Sequence, residues 1–296
     1  MTIELSTLSS HDNLVVMSNA SDLRFFASAD GELAYRDTGG TGLPVVLLHA
    51  GFLDHTMWDE HIPALAKEFR VIAPDARGHG RSANASRPFR QADDLAELLH
   101  HLGAGPAVLA GVSMGAVIAV GTALEHPDLV RALVISGGGT DDREFTEPWS
   151  KQAQAAQFQA LAAGDIEAWH DASDAWAHGP ERPREAVRPE IYTRLREMRQ
   201  RTISKHTPGE ADHHIPVGDL GARAGRIAVP VLALNGAQDA PELRAMAESV
   251  ARTAPRGRTA MINDAAHFPN LERPEEYTRI LTDFLHSLGQ ELPVRP

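Results

Sequence analysis

Ala107-Val108-Leu109-Ala110-Gly111-Val112-Ser113-Met114-Gly115-Ala116 joins a short apolar strand pattern, Ala107 to Gly111, to a small-residue helix pattern running from Met114 to Leu124. The pattern G-x-S-x-G falls on the join. A serine on so tight a strand-to-helix turn must hold strained backbone angles, and glycines two residues to either side let strand and helix approach without a Cβ between them. That is the geometry of a nucleophile elbow. With three fixed positions in five and 24 glycines in the chain, the motif alone does not decide function. Ala107 to Leu124 is also uncharged and long enough to span a bilayer, and Gly111 to Gly115 reads equally as a small-residue helix interface. Gly105 and Pro106 before the stretch, the glycines inside it and the lack of a second apolar stretch of similar length argue against a membrane span.

Outward from this segment, short apolar runs alternate with helical patterns. Val45 to His49, Val71 to Ala73, Val108 to Ala110, Ala132 to Ile135 and Val231 to Leu234 read as strands covered on both faces, with Arg258 to Ile262 as a sixth. Leu23 to Ala27 and Glu32 to Asp37 flank Asp30-Gly31 as an opening antiparallel hairpin. Leu95, Leu98, Leu99 and Leu102 follow helical spacing, with Asp93 and Asp94 in the first turn and Gly103 past the end. Leu243, Met246, Ala247 and Val250 repeat that spacing, and Ile280 to Leu288 does so again. Such alternation predicts a mostly parallel sheet with helices on both faces and a ligand at the carboxyl ends of the strands.

The alternation breaks between Asp141 and His214. Helical stretches at Gln152 to Ala163 and Pro189 to Ile203, separated by the loop Gly179 to Pro183, predict a helical insertion after the fourth parallel strand. The expected organisation is therefore an N-terminal extension (1–22), an α/β core (23–140 and 215–296) and a helical cap (141–214). Three of the four tryptophans, Trp149, Trp169 and Trp176, fall in the insertion, which suits either an apolar lid over a site or a small core of its own.

Composition narrows the partners. With 28 Lys+Arg against 40 Asp+Glu, the net charge of −12 disfavours nucleic acid and anionic membranes as partners. The absence of cysteine removes disulfides, thiolate nucleophiles and cysteine-ligated metals. Met1 to Asp22 shows neither a basic region nor an apolar run of signal-peptide length, so a cytoplasmic location is the expectation.

A serine hydroxyl needs a base, and the base an orienting carboxylate. Asp239 lies just beyond the strand run Val231 to Leu234, and His267 just beyond the last predicted strand. Each alone is unremarkable. Together, after successive strands and in the order Ser, Asp, His, they predict a triad of Ser113, Asp239 and His267. Asp141 or Asp142, after the fourth parallel strand, is the alternative acid.

The chain resembles α/β-hydrolase-fold serine hydrolases, of the esterase and enol-lactonase branch. The likeness runs from about Leu23 to Leu288 and rests on Leu47-Leu48-His49-Ala50-Gly51-Phe52 with Met57-Trp58, on Pro74-Asp75-Ala76-Arg77-Gly78-His79-Gly80-Arg81-Ser82, and on Leu271-Glu272-Arg273-Pro274-Glu275-Glu276. It implies an oxyanion hole made by the backbone N–H of Met114 and of Gly51 or Phe52, and a structural turn at the second segment. His49-Ala50-Gly51 departs from the family's His-Gly-x form, and Ala116 and Ala266 stand where glycine is common. Trp176 to Pro180, with Met198, resembles the family's lid. The implied pocket takes in His49, Trp149, Trp169, Trp176, Met198 and Phe268, with His49 supporting the oxyanion loop rather than moving protons.

The remaining clusters read as structural. Arg77, His79 and Arg81 belong to the turn, and Asp54-His55 with His61, His100-His101 and His213-His214 lack a repeated ligand pattern, so no metal and no cofactor are expected. Arg188, Arg194, Arg196, Arg199 and Arg201 are expected to form a solvated helix face balanced by Glu190 and Glu197, one of them free to meet an acidic substrate. The function expected is hydrolysis of a carboxylic ester or lactone of a small, largely apolar molecule through an acyl-enzyme. Carbon-carbon bond hydrolysis and thioester cleavage use the same machinery, and a slow small-molecule receptor is the alternative from another class.

Overall fold

Apolar runs too short for helices become the strands of one eight-stranded sheet in the computed structural model, which describes residues 23–140 and 145–289. The extension 1–22 and the alternative acids Asp141 and Asp142 lie outside the described residues. Strand β1 (Leu23–Ser28) turns at Gly31, where φ is 87°, into antiparallel β2 (Gly31–Asp37). Then follow β3 (Pro44–Leu48), β4 (Arg70–Pro74), β5 (Ala107–Val112), β6 (Val130–Ser136), β7 (Val231–Gly236) and β8 (Gly257–Ile262). Their order across the sheet is β1-β2-β4-β3-β5-β6-β7-β8, parallel from β4 through β8, with β2 antiparallel to β4.

Period-two alternation sends each parallel strand's side chains into two separate cores. Val45, Leu47, Val108 and Ala110 join Trp58, Tyr277 and Phe284 on one face, while Val46, Leu48, Leu109 and Leu133 join Leu95, Leu99 and Ala119 on the other. The helices covering these faces are α1 (Ile62–Leu65), α2 (Gln91–Leu102) and α3 (Met114–Glu125). Then come α4 (Pro148–Ala163), α5 (Ile166–His178) and α6 (Pro189–Ile203) of the insertion, and finally α7 (Leu220–Arg223), α8 (Pro241–Thr253), α9 (Pro269–Glu272) and α10 (Pro274–Gly289). Gly103 closes α2 in the left-handed region at φ 56°, donating to the carbonyls of Leu99 and His100.

The uncharged stretch from Ala107 to Leu124 divides into β5, one turn residue and α3. Among the described residues no helix is long and apolar enough to cross a membrane.

Two features of the insertion depart from the sequence reading. Helix α5 is absent from it because its buried stripe mixes Trp169, Trp176 and Ala177 with His170, Ser173 and Asp174, so apolar spacing undercounts the face. The cap by Asp165, which accepts from the N–H of Ala168 at 2.9 Å, marks its start.

The arginines of α6 are not a solvated face either. Arg199 is buried and donates to Asp174 of α5 at 2.7 Å, Arg196 reaches the same carboxylate at 2.9 Å, and Arg184 reaches it at 2.9 Å from the intervening loop. Arg194 pairs with Glu60, and Arg201 forks onto Asp54 at 2.7 and 3.2 Å. Packing against α5 and the core loop after β3 supplies partners that the sequence of α6 does not contain.

Candidate active site

Strand β5 ends at Val112, and Ser113 adopts φ 54° and ψ −114° before α3 begins at Met114. This conformation costs about 1–3 kcal/mol and is held by its surroundings. The Ser113 N–H donates to Ser136 O at 2.8 Å. A Cβ at Gly111 would fall 2.2 Å from Gly115 O, and one at Gly115 would fall 2.3 Å from Leu48 O. Neither position can take a side chain without moving backbone.

Asp239 lies in the turn after β7, and His267 follows β8. Both are buried, and Asp239 Oδ2 lies 2.9 Å from His267 Nδ1, while Oδ1 accepts the Ala240 N–H at 2.8 Å. An ionised carboxylate there accepts from a protonated Nδ1. Nε2 is then left unprotonated, able to take a proton.

Glycines after β6 bring this pair up to the serine. At Gly137, where φ is 56°, a Cβ would lie 2.8 Å from His267 Nδ1 and 2.9 Å from Asp239 Oδ2. At Gly138 it would lie 2.8 Å from Ser113 O. Adjacent glycines thus touch the Asp-His pair on one side and the serine on the other. Motif and periodicity do not single them out, although three successive glycines directly after a strand, Gly137 to Gly139, are a visible signal of close backbone approach.

The loop after β3 runs past the serine turn. Gly51 runs beside Met114, since a Cβ on it would make ordinary contact at 3.8 Å with that of Met114. Phe52 holds φ 61° and is 40% exposed, with its ring 4.9 Å, edge-on, from Trp169 of α5. His49 sits behind the loop as a strut, with Nδ1 2.8 Å from Ala50 O and Nε2 accepting the Ala76 N–H at 2.9 Å. Burial lowers its pKa, so one neutral tautomer satisfies both bonds.

Of the other expected pocket residues, Trp176 lies 6.1 Å from the His267 ring and Phe268 lies 5.0 Å from it. Trp149 packs edge-on against Trp176 at 5.1 Å, and Met198 is buried in the core that continues from the sheet into the insertion. Trp169 thus meets the loop after β3, while Trp176 lies beside His267 and also packs against Phe145 and Trp149 of the insertion.

The turn after β4 is knitted by its own bonds. Asp75 accepts from the N–H and Nδ1 of His55 at 2.7 and 2.8 Å and from the Arg81 N–H at 2.7 Å, and Arg77 forks onto Asp94 at 2.8 Å twice. His79 is pushed down to about 3 by burial and by neighbouring His49, and His61 down to about 4 by burial. Asp54, His55 and Asp75 present atoms within 4.8 Å of one another. Their oxygens are engaged by Arg201, Thr56, His55 and Arg81, which accounts for the cluster as a hydrogen-bonded corner.

Residues 44–274 match the alpha/beta hydrolase fold family. The chain belongs to this family. Relatives of this hydrolase include the (E)-2-((N-methylformamido)methylene)succinate hydrolase of Acinetobacter baylyi, 28% identical over 84% of this chain and 92% of the relative. Among solved structures, an esterase from Thermogutta terrifontis is 29% identical with a TM-score of 0.70, covering 90% of this hydrolase and 98% of that chain. The enol-lactonase from Burkholderia xenovorans LB400 is 25% identical with a TM-score of 0.70, covering 89% and 100%.

Proposed function

We propose that the protein hydrolyses a carboxylic ester or lactone of a small, largely apolar molecule, with Ser113 as nucleophile, His267 as base and Asp239 as its orienting acid. The observation that carries this reading is the buried 2.9 Å contact between Asp239 and His267, joined through Gly137 and Gly138 to a serine held at φ 54°. The esterase and enol-lactonase among its structural neighbours support the same chemistry.

In the first half-reaction His267 Nε2 takes the proton from Ser113 Oγ as the oxygen attacks the carbonyl carbon. The resulting oxyanion faces the N–H of Met114 and that of Gly51 or Phe52, each worth about 3 kcal/mol. When the tetrahedral species collapses, the bond to the leaving oxygen breaks and His267 returns the proton to it. An acyl-enzyme remains. Water then attacks, His267 takes its proton, and Ser113 Oγ leaves with that proton as the carboxylic acid is released. For a lactone the alcohol stays tethered, and the product is a hydroxy acid.

An uncharged acyl group is favoured by Trp176 and Phe268 beside His267, by Phe52 and Trp169 packed together at the loop after β3, and by the arginines of α6. Arg194, Arg196, Arg199 and Arg201 are paired with the protein's own carboxylates. The test is nitrophenol release from short-chain and medium-chain nitrophenyl esters. Wild type is expected to turn over and Ser113→Ala to lose turnover, and equal slow rates for the two would defeat the proposal.

A further inference from the structure

The same stretch of the insertion touches both loops that carry the Asp239–His267 pair. Just past α5, Gly179 has φ 75°, and a Cβ there would sit 1.9 Å from Gln238 O and 3.2 Å from Ala266 Cβ. Its bare backbone lies against the residues that immediately precede Asp239 and His267. Three residues on, the Arg182 side chain is only 14% exposed and spends its donors on four acceptors. Nε donates to His178 O at 3.0 Å and Nη1 to Asp264 O at 3.0 Å, while Nη2 donates to Ala177 O at 3.0 Å and to Glu272 at 2.8 Å.

The other oxygen of Glu272 accepts the N–H of Ala266 at 2.7 Å. A continuous chain of bonds therefore runs from the last carbonyls of α5, through one guanidinium and one buried carboxylate, to the N–H of Ala266, the residue before His267. Burial pushes the Glu272 carboxyl up, with the Ala266 N–H and Arg182 acting against it. Without the cation, that carboxylate is a poorer acceptor because it takes up a proton more readily.

We propose that Arg182 is a positioning residue: acting through Glu272, it fixes the backbone at Ala266 and so holds the His267 imidazole in register with Asp239 and Ser113. The placement of the base is thereby tied to the seating of the helical insertion. The inference rests on the reading of His267 as the base. General-base transfer needs hydrogen-bond reach, and a misplacement of about 1 Å costs up to about a hundredfold in rate.

The test uses the whole chain, nitrophenyl esters, and active sites titrated with a fluorophosphonate. Arg182→Ala is expected to lower kcat per titrated site by about ten- to a hundredfold, with KM nearly unchanged. Guanidinium at sub-denaturing concentration is expected to restore kcat in this variant and to leave wild type unaltered. In proton NMR the downfield Nδ1–H signal of His267, sharp in wild type, should broaden in the variant and sharpen again with guanidinium. A purely structural staple would instead lower thermal stability and the number of titratable sites without moving kcat per site or the imidazole signal.

Wild-type kcat per site in Arg182→Ala overturns the proposal, as does a loss that guanidinium does not reverse. Should the alanine variant not fold, Arg182→Lys keeps the charge but not the fork. A several-fold lower kcat without rescue then supports the proposal, and an unchanged kcat overturns it. Equal rates for wild type and Ser113→Ala would bring down the underlying reading of the base, and this inference with it.

Discussion

Ser113 has the backbone of a residue forced into place: at φ 54° and ψ −114° it relies on Gly111 and Gly115, whose missing Cβ atoms would strike Gly115 O and Leu48 O. The G-x-S-x-G pattern made that legible from residues alone. What five residues could not convey is which groups meet the serine, and here Gly137 matters as much as any polar side chain. Gly137→Ala would put a methyl 2.8 Å from His267 Nδ1 at a φ of 56°, so kcat is expected to fall by about a hundredfold. Steady-state kinetics and the His267 imidazole signal would report it together. Asp239→Asn removes the acceptor for Nδ1–H and is expected to lower kcat by about 10⁴-fold with the fold intact. Full activity in that variant would move the acid to Asp141 or Asp142.

At the scale of elements, α6 is the clearest case of tertiary partners overriding a local reading. Its arginines look like a solvated face because the sequence of α6 places only Glu190 and Glu197 among them. Their carboxylates come instead from Asp174 on α5 and from Asp54 and Glu60 after β3. Asp174 is fully buried beneath Arg184, Arg196 and Arg199. Asp174→Asn leaves those cations without their shared charge, and breaking such a buried pair costs about 3–5 kcal/mol. Thermal or urea unfolding checks it. Burial alone would raise the Asp174 pKa, but the three arginines prevail and hold it below the ordinary 3.8. A depressed carboxylate contributes stability that is present above 3.8 and lost as pH falls through the folded value. Wild type is therefore expected to lose more stability than Asp174→Asn on acidification below that point.

For the whole molecule, net charge and site lining act in the same direction. The chain carries −12, the rings of Trp176 and Phe268 lie beside His267, and Phe52 packs on Trp169. Between two nitrophenyl esters of equal length, one ending in methyl and one in carboxylate, the neutral ester is expected to have the higher kcat/KM. The difference should be at least about tenfold, because an unpaired carboxylate buried in such a site costs more than about 1.4 kcal/mol. Equal kcat/KM would point to a cation in the pocket and to acidic substrates.

The sequence by itself determined the strand runs, the parallel sheet, the serine turn and the positions of Asp239 and His267 after successive strands, because each follows from local spacing and steric need. It did not determine the role of Gly137, the helix α5 or the partners of the α6 arginines, and it left open whether the tryptophans face their own core or the site. Those are contacts between residues far apart in the chain. Only the folded sheet, which sets β6 beside β7 and lays the insertion across the loops at their ends, brings Gly137 against His267, Asp174 beneath three arginines, and Trp169 and Trp176 against Phe52 and His267.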